Sequence, residues 1–100
     1  MINDKMTVGA YIRKLRNSKG IPLRKLASEL DIDQSTLAKM EKDQRPFSLS
    51  MAPSLAKALE IDFKELQIEL VASVVIKELG DEEYVSEGLK LAVKQLNSVK

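Results

Sequence analysis

Apolar residues recur at helical spacing through the first half of the chain, in short runs separated by turn residues. Thr7 is a good N-cap for a first predicted helix that runs to about Ser18, and Gly20 ends this helix. A second helix is predicted to begin near Pro22, because proline is tolerated in the first turn of a helix. This helix is predicted to end near residue 30. Its apolar positions have the spacing i, i+3, i+4, i+7 and are Leu23, Leu26, Ala27 and Leu30.

A third helix is predicted over residues 34–42, with Asp33 as its N-cap. Its inner side is predicted to carry Leu37, Met40 and Ala38. The outer side is short, polar and rich in hydrogen-bonding groups, and it consists of Gln34, Ser35, Thr36 and Lys39. A face of this kind is suited to contact with a groove.

A break at residues 43–46 separates this helix from a fourth one, which either Ser48 or Ser50 would cap. Pro53 favours Ser50, since that choice leaves the proline in the first turn. The inward positions of the fourth helix are predicted to be Met51, Leu55, Ala58 and Leu59.

Asp62 and Glu65 form a capping-box-like pair at the start of a fifth helix. Its first core contacts are predicted to be Phe63 and Leu66. The apolar pattern continues as far as Gly80, so the fifth helix is either prolonged or closely followed by another. Asp81 is predicted to cap a last helix.

Residues 67–97 therefore look like a helical hairpin appended to a domain over residues 7–66. The apolar stripes of this extension fit an association surface better than a nucleic-acid surface. The residues predicted to form that surface are Val71, Val75, Leu79, Tyr84, Val85, Leu89, Val93 and Leu96. Dimerisation is the first interpretation, and an intramolecular extension of the core is the alternative.

The composition supports an all-α fold, because 44% of the residues are apolar and only 4% are aromatic. The chain contains neither cysteine nor histidine, which excludes thiol redox chemistry, Cys/His zinc sites and imidazole catalysis. We therefore expect no enzyme activity, no metal and no cofactor. No apolar run approaches the roughly 18 residues of a membrane span, so a cytoplasmic, nucleoid-associated protein without a membrane partner is expected.

Charge is distributed unevenly along the chain. Residues 1–60 hold 11 Lys/Arg and 7 Asp/Glu, a net charge of +4, whereas residues 61–100 hold 5 and 8, a net charge of −3. The asymmetry indicates that the N-terminal part faces an anionic partner, although an ordinary solvated surface would have the same composition.

Two short helices joined by a tight turn and followed by a basic loop can place the second helix in a DNA groove. The chain resembles the Cro and phage-repressor (XRE-type) helix-turn-helix family over about 8–66. The matching segments are Ile12-Arg13-Lys14-Leu15-Arg16, Leu26-Ala27, Ile32, Ser35-Thr36-Leu37 and Glu41. The resemblance implies a five-helix lambda-repressor-like domain whose recognition helix spans residues 34–42.

The resemblance also implies which side chains contact DNA. Gln34, Ser35 and Lys39 match base-reading positions, and Thr36 beside them suits a base edge or a phosphate. A helical turn that satisfies its own amides and a solvated lysine are the alternatives. Phosphate contacts are expected from one side chain of the second helix and from the loop after the recognition helix: Arg24, Lys42, Gln44 and Arg45. A solvated loop is the alternative.

Arg16 and Glu41 match a buried ion pair between the first helix and the recognition helix, which has an architectural role. Three features depart from the family pattern. Pro22-Leu23 stands where a Ser/Thr cap and a DNA-contacting Gln are common, Asp31 stands where the turn usually carries a left-handed Gly, and Pro53 delays the start of the fourth helix.

The expected function is transcription regulation by a homodimer on double-stranded, palindromic operator DNA, as a repressor or a restriction-modification-type controller. Half-sites would then lie about 34–36 Å apart. The alternative is an antitoxin-like adaptor that binds a protein partner through the C-terminal hairpin. Whether an N-terminal arm over residues 1–6 touches DNA is left open.

Overall fold

A computed structural model describes residues 6–99, and over that range the chain folds into α-helices with no strand. The helices are α1 (Val8–Ser18), α2 (Leu23–Glu29), α3 (Gln34–Glu41), α4 (Ala52–Leu59), α5 (Phe63–Leu79) and α6 (Val85–Ser98). The all-α prediction is confirmed. Most of the predicted N-terminal arm lies outside the described residues. None of the described helices combines the length and the apolar character that crossing a bilayer requires.

The hydrophobic core is built by α1 to α5, each of which presents an apolar stripe to the others. Its largest fully buried side chains are Ile12, Leu26, Leu37, Leu55, Leu59, Leu66 and Leu70. Burying one such side chain contributes about 1.5–3 kcal/mol, so these stripes dominate the stability of the domain. Leu70 is buried beyond the predicted boundary at residue 66, because α5 continues as a single helix to Leu79.

Four helices end in the same way, with one residue in the left-handed region: Gly20 (φ 67°), Asp31 (φ 56°), Asp43 (φ 62°) and Glu60 (φ 55°). In each case the next N–H donates to the carbonyl five residues back, for example from Ile32 to Ala27 at 3.0 Å. This is the Schellman arrangement, which satisfies carbonyls at a helix end. Three of the four positions therefore hold a side chain where glycine would be unstrained.

The predicted Ser50 cap of α4 is wrong. A 3-10 turn at Leu49–Met51 precedes α4, which begins at Ala52, and the Ser50 hydroxyl lies 2.9 Å from the Ser48 hydroxyl instead. Pro53 occupies the first turn of α4. Pro53 has no backbone N–H to donate, so a serine hydroxyl at the start of α4 has one fewer N–H group to accept a hydrogen bond from.

The predicted capping box of α5 does not form. Asp62 occupies the N-cap position, but within the described residues its side chain accepts no capping hydrogen bond. Glu65 instead accepts a long hydrogen bond (3.4 Å) from the Tyr11 hydroxyl of α1. Phe63 is 43% exposed and is therefore not the predicted core contact, whereas Leu66 is buried as predicted. Ile61 in the preceding turn packs against the core.

The cap predicted for α6 is also wrong, because α6 begins at Val85 with Tyr84 at its N-cap position. Asp81 lies in the preceding turn, where Glu82 donates its N–H to Leu79 and Val85 donates to Glu82. These two consecutive turns carry the chain past Asp81 before helical geometry resumes. Gly80 does end α5, as predicted.

Candidate nucleic-acid interface

The helix α3 has two chemically distinct sides. Leu37, Met40 and Glu41 are buried on its inner side. On the outer side, Gln34, Ser35 and Lys39 are exposed and Thr36 is half-buried. The structure thus brings the predicted base-reading residues together on one solvent-facing surface. Ala38, predicted to be inward, is half-buried.

An ion pair holds the inner side of α3 against α1. The Arg16 Nε donates to Glu41 Oε2 at 2.7 Å, and Nη2 donates to Oε1 at 2.9 Å. The remaining Nη1 donates to the Ile21 carbonyl at 2.9 Å. Both residues are buried, and the hydrogen bonds to Glu41 raise the pKa of the Arg16 guanidinium. A two-point contact of this kind fixes orientation as well as distance.

The C-terminal end of α3 lies directly against the start of α1. A Cβ atom on Gly9 would lie 2.5 Å from the Met40 carbonyl oxygen, so only glycine allows this approach. Asp43 fastens the same junction, because Oδ1 accepts from the Gly9 N–H at 3.2 Å and Oδ2 accepts from the Thr7 hydroxyl at 2.5 Å. Sequence reasoning missed this role of Asp43, since its partners lie more than thirty residues away.

The loop after α3 presents a group of polar side chains next to the outer side of that helix. Lys42, Gln44 and Arg45 are all exposed. Asp43 anchors the loop near its start, and Phe47, which is buried, anchors it at the other end. The loop is therefore short and held at two points, which suits contacts to a fixed backbone geometry.

The helix α2 contributes charge but not the polar contact that is common in related proteins. Arg24 and Lys25 are exposed on it, whereas Leu23 is half-buried and packs against the core. Pro22 occupies the N-cap position with an extended backbone (φ −63°, ψ 150°). The first turn of α2 can thus attract an anion through Arg24 but offers no base-reading amide.

The predicted association residues lie on α5, on α6 and in the turn between them. Six of the eight are exposed, and Val75 and Val85 are half-buried. The exposed ones are Val71, Leu79, Tyr84, Leu89, Val93 and Leu96. Their apolar surface is thus available in the single chain.

Comparisons with known proteins agree with this architecture. A family model described as helix-turn-helix matches residues 12–66, more than half of the chain. Two crystal structures of the clp gene regulator ClgR from Corynebacterium glutamicum are similar in fold. The first is 29% identical with a TM-score of 0.55, covering 66% of this chain and 86% of that one. The second is 25% identical with a TM-score of 0.56, covering 85% and 88%.

A search of curated proteins finds no significant match. The family match spans the segments whose geometry is described above, from within α1 to the first turn of α5. It includes the two-sided α3 and the Arg16–Glu41 pair that orients it. The chain therefore belongs to the Cro/phage-repressor (XRE-type) helix-turn-helix family and is a DNA-binding transcriptional regulator.

Proposed function

We propose that the protein is a homodimeric, sequence-specific repressor that inserts α3 into the major groove of a palindromic operator. The observation that carries the proposal is the division of α3 into two sides. Its apolar side and Glu41 are buried in the domain, while three adjacent hydrogen-bonding side chains face solvent. A helix with this division can present its polar side to a groove about 12 Å wide while its apolar side stays packed in the domain core.

The exposed side chains of α3 have the chemistry for reading base edges. Gln34 can pair in a bidentate manner with adenine N6 and N7, and Lys39 can donate to guanine O6 and N7. Ser35 and Thr36 can contact several base edges or a phosphate. Each good bidentate contact discriminates against a wrong base by about 1–3 kcal/mol, so Gln34 and Lys39 would dominate specificity.

Phosphate contacts would come from both sides of α3. Arg24 lies on α2, while Lys42, Gln44 and Arg45 lie in the loop that follows α3. Each phosphate neutralised by a lysine or arginine adds about −0.9 to the slope of log K against log salt concentration. Three such cations predict a slope of roughly −2.7 for one protomer.

A homodimer is proposed because operator DNA with two-fold symmetry is read by proteins with the same symmetry. The exposed apolar residues of α5 and α6 supply a surface on which two copies could associate. Half-sites about 34–36 Å apart would then receive the two α3 helices on one side of the duplex. Occupation of such a site within a promoter would exclude polymerase, which is the basis of the proposed repression. The similarity to ClgR, named a clp gene regulator, supports a role in gene regulation.

Selection of bound sequences from random duplex DNA tests the proposal. The wild-type chain is expected to enrich a palindromic motif, and Gln34→Ala combined with Lys39→Ala should abolish that enrichment. Lys57→Ala is the matched control, because it removes one positive charge from an exposed position on α4. Loss of enrichment with Lys57→Ala as well, or its retention in the double variant, would contradict the assignment of α3.

A second candidate function is an antitoxin-like adaptor that acts mainly by binding another protein. The exposed apolar side chains of α5 and α6 favour it, as does Leu23 in place of a DNA-contacting amide. Salt separates the two functions, since phosphate contacts release counterions and an apolar protein interface largely does not. An absence of enriched DNA together with salt-insensitive partner binding would favour the adaptor.

A further inference from the structure

The helix α5 is apolar on two opposite sides. Leu66 and Leu70 lie in the core, and a second stripe at i, i+3, i+7, i+11 points away from it. We name this second stripe the α5 stripe, and it consists of Ile68, Val71, Val75 and Leu79. Ile68 is 57% exposed, and the other members are exposed or half-buried. Helices that are apolar all round are normally covered on all sides. Within residues 6–99, the α5 stripe is not covered in this way.

The helix α6 has a comparable apolar face. Over its described residues 85–98, none is buried. One side carries what we name the α6 stripe, and the opposite side carries Glu87, Lys90 and Lys94. The α6 stripe consists of Val85, Leu89, Ala92, Val93 and Leu96. Leu96 is 56% exposed.

The two stripes match in length. From Ile68 to Leu79 and from Val85 to Leu96 the chain advances by the same number of residues, about 16 Å along a helix axis. Together the stripes expose on the order of several hundred Å² per protomer, comparable with the roughly 800 Å² that a standard protein interface buries on each side.

Charge distinguishes among the ways of pairing these helices. The helix α5 carries three glutamates and two lysines, a net charge of −1, and α6 carries one glutamate and two lysines, a net charge of +1. Contact between α5 and α6 therefore brings together helices of opposite net charge, whereas contact between two copies of the same helix brings together helices of like net charge. Within residues 6–99 of one chain both stripes remain exposed or half-buried, so a second copy can cover both at once.

We infer that α6 is an exchanged arm, so that in the dimer the α6 stripe of each protomer packs on the α5 stripe of its partner. The arrangement rests on the homodimer of the proposed function and specifies how that dimer is built. In a two-fold symmetric dimer, each α5 stripe is covered by the α6 stripe of the other protomer. The assembly is therefore closed, and neither apolar surface remains free to bind a third copy.

Cysteine cross-linking tests the exchange directly, because the natural chain has no cysteine. One protomer carries Val71→Cys and a differently tagged protomer carries Ala92→Cys, both near the middle of their stripes, so the direction of the helices matters little. A short bis-maleimide should join the two tagged chains. In the complex each thiol meets the other at an effective concentration on the order of mM, whereas free chains meet at micromolar concentration. The yield of the cross-linked product should therefore exceed that of the control pair at least about tenfold. The matched control replaces Ala92→Cys by Lys94→Cys on the polar side of α6.

The outcomes separate the exchange from the homodimer on which it rests. Sedimentation that shows only a monomer at tens of micromolar protein would overturn both. A dimer that cross-links only Val71→Cys to itself, or only Ala92→Cys to itself, would overturn the exchange and leave the homodimer standing. A chain carrying both cysteines that cross-links internally, with no product between tagged chains, would place α6 on its own α5 and overturn the exchange. The enrichment of operator DNA is measured in a separate experiment, so its result does not depend on any of these three outcomes.

Discussion

Separating the Arg16–Glu41 pair should remove a large part of the stability of the domain. In Glu41→Leu the guanidinium stays buried and loses the acceptors that now lie 2.7 and 2.9 Å away. In Arg16→Met the carboxylate of Glu41, whose side chain is only 4% exposed, loses both donors. Breaking one partner of a buried pair costs about 3–5 kcal/mol.

The total stability of a small domain is only about 5–15 kcal/mol, so each single variant should be close to unfolding on warming. A loss of 3 kcal/mol corresponds to a fall in Tm of at least about 12 °C for a domain of this size. The double variant Arg16→Met with Glu41→Leu replaces the pair by apolar side chains of similar volume. It should be within about 1 kcal/mol of wild type or more stable, because neither charge is left unpaired.

Thermal and urea unfolding of the four proteins, followed by circular dichroism, gives the coupling energy from a double-mutant cycle. The folded double variant should keep its affinity for DNA if the pair serves only to hold α3 on α1. The reasoning fails if each single variant loses under about 1 kcal/mol, which is the value of a solvent-exposed ion pair.

Three further predictions address single positions. Gly9→Ala should lower the free energy of unfolding by about 1–3 kcal/mol in urea titrations, since its Cβ would collide with the Met40 carbonyl. Asp31→Gly should raise it by about 0.5–1 kcal/mol in thermal unfolding, because glycine accepts the left-handed φ of 56° without strain. Burial, and then the nearby carboxylates, raise the pKa of Tyr11 above its ordinary value of 10.0, so folded protein holds this proton more tightly than unfolded protein. Stability present below about pH 10 should therefore decline as the pH rises through the folded pKa, and Tyr11→Phe should reduce the decline.

Each of these predictions has a matched control. Gly88→Ala adds the same methyl group to α6, where nothing in the described chain lies within 4 Å, and it should not destabilise the fold. Asp33→Gly removes the same charge as Asp31→Gly at a φ of −67°, so no strain is relieved and no stabilisation is expected. Tyr84→Phe leaves Tyr11 as the sole tyrosine, so absorbance at high pH reports on Tyr11 alone. A Tyr11 titration at or below the ordinary value would contradict the third prediction.

Much of the first half of the fold could be predicted because its signals are local. Apolar spacing gave the bounds of α1, α2 and α3 to within a residue or so, and Gly20 marks the end of α1 in the sequence and in the structure. The polar outer side of α3 follows from the same spacing. Arg16 and Glu41 were paired through the family resemblance, since no local pattern relates two residues on different helices.

The side-chain caps that do not form depend on contacts beyond the local sequence. Ser50 and Asp81 are good capping residues, but a neighbouring turn shifts the start of α4 and of α6. Asp62 does occupy the N-cap position of α5, but the capping box does not form. Glu65 accepts a hydrogen bond from Tyr11, which is fifty-four residues away in the chain, instead of contributing to a capping box. A capping preference of about 1 kcal/mol is easily outweighed by such tertiary contacts.

The sequence by itself determined which residues are apolar, where most helices break and which side of α3 is polar, because these depend on neighbours within one or two turns. Only the tertiary structure decided which apolar stripes are covered. Leu66 and Leu70 lie in the core, whereas Ile68 and Val71 on the same helix face solvent. Burial needs a second element to supply the opposing surface, and that element lies far away in the chain or on another copy of it.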